Sequence, residues 1–165
     1  MNYFKKLFQG KDELNYSDFS KFPIIQGEGW SKVRLLALKK NVDAFLGEEG
    51  NLTNKYKEVY FVDYIKFGLG VSYRNKSNQV QAIFFYNNDD DSERFSIYPI
   101  KTEKNIDWHS SETDVEKSYG LPLKKFTGNN AGKEKNIAWI RMVYKGIDFR
   151  FMAGKMVRIG ITIGC

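Results

Sequence analysis

The chain has 165 residues, 42% hydrophobic and 28% charged, with 26 aromatics (13 Phe, 10 Tyr, 3 Trp), which is too rich in large apolar side chains for a disordered polypeptide and too short for two large cores. No apolar run reaches the length of a spanning helix, and a single cysteine, Cys165, excludes an intrachain disulfide and a thiolate metal cluster. The net charge of +6 comes from 26 Lys and Arg against 20 Asp and Glu, scattered in doublets such as Lys5-Lys6, Lys39-Lys40 and Lys124-Lys125, so most of it reads as solvated faces.

Residues 1–31 are predicted to form an N-terminal arm. The opening "MNYFKKLFQGKDE" is broken by Lys5, Lys6, Gln9 and Lys11, so it lacks a secretory apolar region, and the written start is expected to be the mature one. Phe4, Leu7 and Phe8 around the two lysines read as a docked terminus, with a small amphipathic turn touching a membrane or a partner as the competing reading. "QGEGW" and the later "GLG" lack the spacing of a phosphate-binding glycine loop.

Residues 32–98 carry the first of two similar halves. "SKVRLLALKKNVDAFLG" fits either one helix capped by Ser31 or a strand followed by a short helix; Val42 and Leu46 share a helical face, and Gly47 supplies a left-handed stop. "EVYFVDYIKF" reads as a strand, and "LGVSYRNKSNQVQAIFFY" as a hairpin turning at "NKSN", with Gly70 at a turn or bulge. Because "AIFFYN" is apolar on both parities, Ile83 and Phe85 need cover as well as Phe84 and Tyr86, either from the N-terminal arm or from another subunit, which leaves a homo-oligomer open. The seam, "NNDDDSERFSIYPIKTEKN", is polar and turn-rich. Asp89, Asp90, Asp91 and Glu93 cluster there without calcium-loop spacing and are expected to be solvated.

Residues 99–165 repeat the order. "NIDWHSSETDVEKSYGLP" aligns without a gap on "KVRLLALKKNVDAFLGEE", so that Val33 meets Ile106, Leu35 meets Trp108, Val42 meets Val115, Leu46 meets Tyr119 and Gly47 meets Gly120. Ser111 and Asp114 form a capping-box signature, and Pro122 follows the stop, which predicts a helix from Ser111 to Tyr119. "NIAWIRMVYK" is a strand and "KGIDFRFMAGKMVRIGIT" a hairpin, with Gly146, Ile147, Phe149 and Arg150 meeting Gly70, Val71, Tyr73 and Arg74. The predicted fold is α+β: two tandem repeats of a short helix and a three-stranded antiparallel meander, forming one continuous sheet or two packed ones.

"SETDVEKSYGLP" resembles the helix motif of the small outer-membrane assembly lipoproteins and of the secreted beta-lactamase inhibitory proteins, in which a hydroxyl residue is followed by an acidic or amide residue and Val, then by an aliphatic or aromatic residue before Gly and often Pro. That resemblance implies a helical layer on an antiparallel sheet, in tandem, that acts by surface contact. The chain departs from both groups: it has neither a lipobox cysteine near its start nor the cysteine pairs that brace the secreted inhibitors.

"DWHSS" holds Asp107, His109 and Ser110, the residue types of a hydrolase triad, but three neighbours rarely converge and no G-x-S-x-G elbow is present; a loop entering a capped helix is the preferred reading. A nitrogen or sulfur metal site has too few ligands, and no cofactor is expected. If Ile147, Phe149, Phe151, Val157, Ile159, Ile161 and Ile163 point inward, alternation sends Asp148, Arg150, Arg158 and Thr162 to the other face. Trp139 and Arg141 join them if the preceding strand has the matching parity. An exposed face bearing Trp139, Arg141, Arg150 and Arg158 suits protein binding, and stacking of single-stranded nucleic acid as the alternative. The expected function is a non-enzymatic, cytoplasmic, bacterial-type interaction module of the inhibitor or immunity kind, without membrane insertion.

Overall fold

The computed structural model describes residues 21–87, 95–97, 99–131 and 136–163. The chain begins with three two-residue strands, β1 (Ile24–Ile25), β2 (Gly29–Trp30) and β3 (Val33–Arg34), followed by helix α1 (Lys39–Leu46). Strands β4 (Asn51–Lys55), β5 (Val59–Tyr64), β6 (Leu69–Arg74) and β7 (Val80–Tyr86) come next, with a 3-10 turn, Ile65–Phe67, between β5 and β6. After the seam lie α2 (Glu112–Tyr119), β8 (Lys124–Ala131), β9 (Asn136–Tyr144), β10 (Ile147–Met152) and β11 (Lys155–Thr162). The protein is thus α+β, with two helices among the described residues, a small three-stranded sheet and an eight-stranded sheet, both antiparallel.

The large sheet runs β4-β5-β6-β7-β11-β10-β9-β8, so the last strand of each half lies at the centre and the first at an edge. Three-stranded meanders are therefore a correction: four strands follow each helix, and the halves do not form two clean copies. The first half has the 3-10 turn, and the three short strands precede its helix. Of the two predicted arrangements, the eight strands form the continuous sheet. The proposed arm falls largely outside the described residues, as do Phe4, Leu7, Phe8 and the Asp89–Glu93 cluster. Its last part contributes β1 and β2.

Alternation loads one face of the large sheet with the core. Val62, Val71, Ile83, Ile161, Ile147 and Tyr144 lie side by side across the middle, and Leu69, Phe85, Ile159, Phe149 and Met142 form the neighbouring row, all buried. Val42 and Leu46 of α1 and Val115 of α2 pack into this cluster. Each such side chain contributes about 1.5–3 kcal/mol by leaving water. Trp30 adds to it from β2, edge-on to Phe45 at 6.0 Å and to Phe85 at 6.4 Å between ring centroids. The cover that Phe85 requires thus comes from the same chain.

The strand-then-helix reading of Val33–Leu46 is what forms; Leu38, and not Ser31, precedes the first helical turn, without a side-chain cap. Gly47 adopts the left-handed conformation that closes α1, whereas Gly120 has φ 82° but an extended ψ of −164°. α2 has the full capping box: the Ser111 hydroxyl accepts from the Asp114 amide at 3.2 Å, and the Ser111 amide donates to Asp114 Oδ2 at 2.9 Å. The Ser111 hydroxyl, donating to Asp114 Oδ2 at 2.7 Å, and the Ser111 amide together hold the Asp114 carboxyl below its ordinary pKa. Gly70 is a further correction: it lies inside β6, where an added Cβ would come within 3.0 Å of the Tyr86 ring, while Gly146 does make the β9–β10 turn at φ 78°.

Candidate protein-binding face

The face of the large sheet opposite the helices is built by the alternate residues of the same strands. On β9, register with β10 resolves the parity: Arg141 stands opposite Arg150, and Trp139 opposite Met152. Arg150 in turn stands opposite Arg158 of β11, so three arginines form one row across three strands. The helical side is marked independently by Lys125, whose ammonium reaches Glu112 and Glu116 of α2 at 3.1 and 3.5 Å. Phe126, the next residue, stands opposite Arg141 on the outer face and is exposed.

The structure therefore brings Trp139, Arg141, Arg150 and Arg158 together. What alternation alone did not show is how they are held. Asp148, on the same face, is only 2% exposed. Arg141 grips it bidentately, Nε donating to Oδ1 at 3.2 Å and Nη2 to Oδ2 at 3.0 Å, and Arg158 Nη2 donates to Oδ1 at 3.3 Å. Such paired, charge-assisted bonds fix planar guanidinium groups in orientation as well as position. Gly160, opposite Asp148, makes room: a Cβ there would stand 2.6 Å from Oδ2.

Aromatic rings continue the row in both directions. The Arg150 guanidinium lies over the Trp139 ring at 5.6 Å and that of Arg158 over Phe84 at 5.1 Å. Phe84 stacks with Phe61 at 6.4 Å, and Phe61 meets Tyr56 edge-on at 6.0 Å. Beside Phe84 and Phe61 a shallow hollow of about 220 Å³ is lined by Val59, Ser72, Ala82 and Thr162. A ladder of aromatic and guanidinium groups thus crosses the sheet from Tyr56 near one edge strand to Trp139 beside the other.

One inward assignment needs correction: Ile163 is exposed. Val157 is buried as expected, but β11 bulges against Arg150 and Phe151, so that Met156 is the residue that pairs with Phe151 and joins the main core cluster. Two residues facing one is what a bulge does to alternation.

His109 and Ser110, but not Asp107, border a hollow of about 520 Å³ shared with Trp108, Ile97 and Met156. The Asp107 carboxylate accepts from the His109 amide at 2.9 Å and from the Ser110 hydroxyl at 3.3 Å, and the Asp107 amide donates to Ser110 Oγ at 3.1 Å. This is the closed hydrogen-bonded turn of a loop entering α2; the carboxylate is bonded to the serine hydroxyl and a main-chain amide instead of orienting the imidazole. Among the described residues no cluster of three or more His, Cys, Asp or Glu is placed to hold a metal ion, and no helix is long and apolar enough to cross a membrane.

A second polar constellation lies on the helical side, where Tyr64 donates to Asp43 Oδ1 at 2.6 Å and shares a 2.8 Å hydrogen bond with Tyr73, while Lys39 reaches Asp43 Oδ2 at 2.6 Å. Burial raises the pKa of both tyrosines well above the ordinary range. The group ties α1 to β5 and β6. Sequence reasoning passed over it because its members lie up to 34 positions apart, from Lys39 to Tyr73.

The fold and the outer face define an α+β protein with an open antiparallel sheet, one side packed and the other carrying arginine and aromatic groups. Comparison with protein-family models, curated proteins and solved structures finds no match to this chain.

Proposed function

We propose that this chain is a non-enzymatic module that captures a partner protein on the outer face of its large sheet. The observation that carries the proposal is the ladder from Tyr56 to Trp139, whose rings and guanidinium groups range from largely enclosed, at Arg158, to exposed, at Tyr56, and are oriented by stacking and by the buried Asp148. Tryptophan, tyrosine and arginine dominate binding energy at protein interfaces, and groups already fixed lose little side-chain entropy on docking. The inhibitor or immunity type of function is the form of this proposal that the resemblance of the α2 segment favours. The recurrent order of one helix and four strands supports descent from a duplicated unit. A cytoplasmic setting remains part of the proposal, resting on the single cysteine.

Affinity capture from lysate with nuclease treatment, at low and high salt, tests this reading when wild type is compared with the folded Trp139→Ala/Arg150→Ala variant. Loss of a nuclease-resistant protein band from the variant supports the face; identical capture by both overturns it. A band lost only on nuclease treatment would transfer the face to nucleic acid.

A further inference from the structure

The arginine row is electrostatically incomplete. Arg150 stands directly opposite both Arg141 and Arg158, at the Cβ spacing of about 4.5–5.5 Å typical of cross-strand neighbours, where like charges oppose pairing. Three guanidinium groups share one carboxylate, Asp148, and that carboxylate is occupied by Arg141 and Arg158. Among the described residues no carboxylate pairs with Arg150; its charge meets only the Trp139 ring. The Nε atoms of Arg150 and Arg158 are buried and have no hydrogen-bond acceptor. A buried donor without an acceptor is costly, and two of them in adjacent guanidinium groups leave the row's positive charge poorly compensated from within the chain.

We infer that the row Arg141–Arg150–Arg158 is an anion site that receives a glutamate or aspartate carboxylate from an acidic, partly apolar segment of the docking partner. The inference rests on the reading of this face as a protein-docking surface and names the partner's chemistry. A carboxylate matches the planar fork of Arg150. Apolar residues flanking the carboxylate have Phe84, Phe61 and the hollow lined by Val59 and Ala82 on one side, and Phe126 on the other. A nucleic-acid strand would instead require a run of stacking rings, whereas the Trp139 ring is already covered by Arg150.

The test is an NMR titration of the intact chain that follows the arginine Nε–Hε signals and the Trp139 indole. Its probes are acetyl-Glu-Leu-Glu-Leu-Glu-amide, the same peptide with Gln for Glu, inorganic phosphate and an oligothymidine. The Glu peptide should shift the Arg150 and Arg158 signals saturably, at least fivefold more tightly than the Gln peptide or phosphate. Arg150→Gln should weaken it at least fivefold, while Lys76→Gln, the same charge change in the exposed β6–β7 turn, should leave it within twofold. Equal binding of the Glu and Gln peptides with a shifted Trp139 signal would overturn the anion site and leave the docking face standing. No response to either peptide would remove the anion site; the face would then fall only if the capture experiment also failed. Tighter binding of oligothymidine or phosphate than of the Glu peptide would overturn the choice of a carboxylate.

Discussion

Replacing Asp148 by Ala removes the one carboxylate between Arg141 and Arg158 and leaves both guanidinium groups facing each other over a void. Breaking a buried ion pair from one side costs about 3–5 kcal/mol, most of it the uncompensated charge left behind. Arg158 is the more enclosed partner, its side chain 17% exposed, while that of Arg141 is 37% exposed and can turn toward water. The lower end, about 3 kcal/mol, is therefore expected for Asp148→Ala, and about 1–2 kcal/mol for Asp148→Asn, which keeps an acceptor oxygen. With a urea slope of about 2 kcal/mol/M, typical of small proteins, the first figure moves the unfolding midpoint down by about 1.5 M.

Equilibrium urea denaturation followed by tryptophan fluorescence and far-ultraviolet circular dichroism measures the shift, and agreement of the two probes tests two-state behaviour. The triple variant Arg141→Met/Asp148→Leu/Arg158→Met supplies the decisive comparison. It removes the charges together, so it should recover most of the lost stability, because an apolar replacement of similar volume requires no desolvation of ions. An Asp148→Ala midpoint within about 0.3 M of wild type would show that Asp148 does not hold the two arginines against a real penalty. A triple variant less stable than Asp148→Ala would show that the cost lies in packing and not in unpaired charge.

Gly128→Ala places a Cβ 2.7 Å from the Trp139 ring, so the indole must shift away; partner capture should fall as in Trp139→Ala, with about 1 kcal/mol or less lost in urea denaturation. Ser111→Ala removes the hydroxyl that caps α2 and should cost about 1 kcal/mol by the same assay, leaving capture unchanged. Burial raises the pKa of Tyr64 and Tyr73, and burial with the nearby Glu116 pushes Tyr144 to about 12, whereas unfolded tyrosine ionises near 10. These groups keep their protons longer when folded, so their contribution is complete below about pH 10 and is lost as pH rises toward and through the folded values. The urea midpoint should fall between about pH 10 and 11.5, less steeply in Tyr64→Phe, while absorbance near 295 nm shows the tyrosinate appearing with unfolding.

The parts of the fold that could be read ahead were those with two independent signals. For α2 these were the Ser111 and Asp114 cap and the Val115 to Tyr119 face, and for the β10–β11 hairpin the alternation of Ile147, Phe149 and Phe151 and the Ala153-Gly154 turn, both with positive φ. β4 and β8 were missed for a physical reason. They are edge strands, "NLTNK" and "KKFTGNNA", largely exposed where described, so they bear no period-two apolar pattern and owe their extended form to pairing with β5 and β9. Strands β1–β3, two residues each, are too short to show any period. Parity placed Arg150 and Arg158 on one surface and left Trp139 and Arg141 open until the register of β9 was known; the clamp on Asp148 likewise depends on cross-strand register, which alternation does not supply: Asp148 stands opposite Val143 and Gly160, and its arginine partners reach it diagonally.

Relief on the outer face follows from the same register. In its middle, small residues surround Phe84: Gly70 and Gly160 stand opposite it on the two neighbouring strands, with Ser72 and Ala82 beside them. At Gly70 and Gly160 the missing side chains admit the Tyr86 ring and the Asp148 carboxylate, respectively, close to the main chain. Asp148 can then lie low enough to be buried while its arginine partners lie over it, so the positive charge is presented outward and the negative charge is hidden. Reversing that order, with the carboxylate exposed and the guanidinium groups buried, would require a larger residue than Asp at 148 and smaller ones at 141 and 158. The sign of the charge that this face presents outward is therefore set by side-chain length against neighbouring small residues, which is the physical ground for proposing an acidic partner.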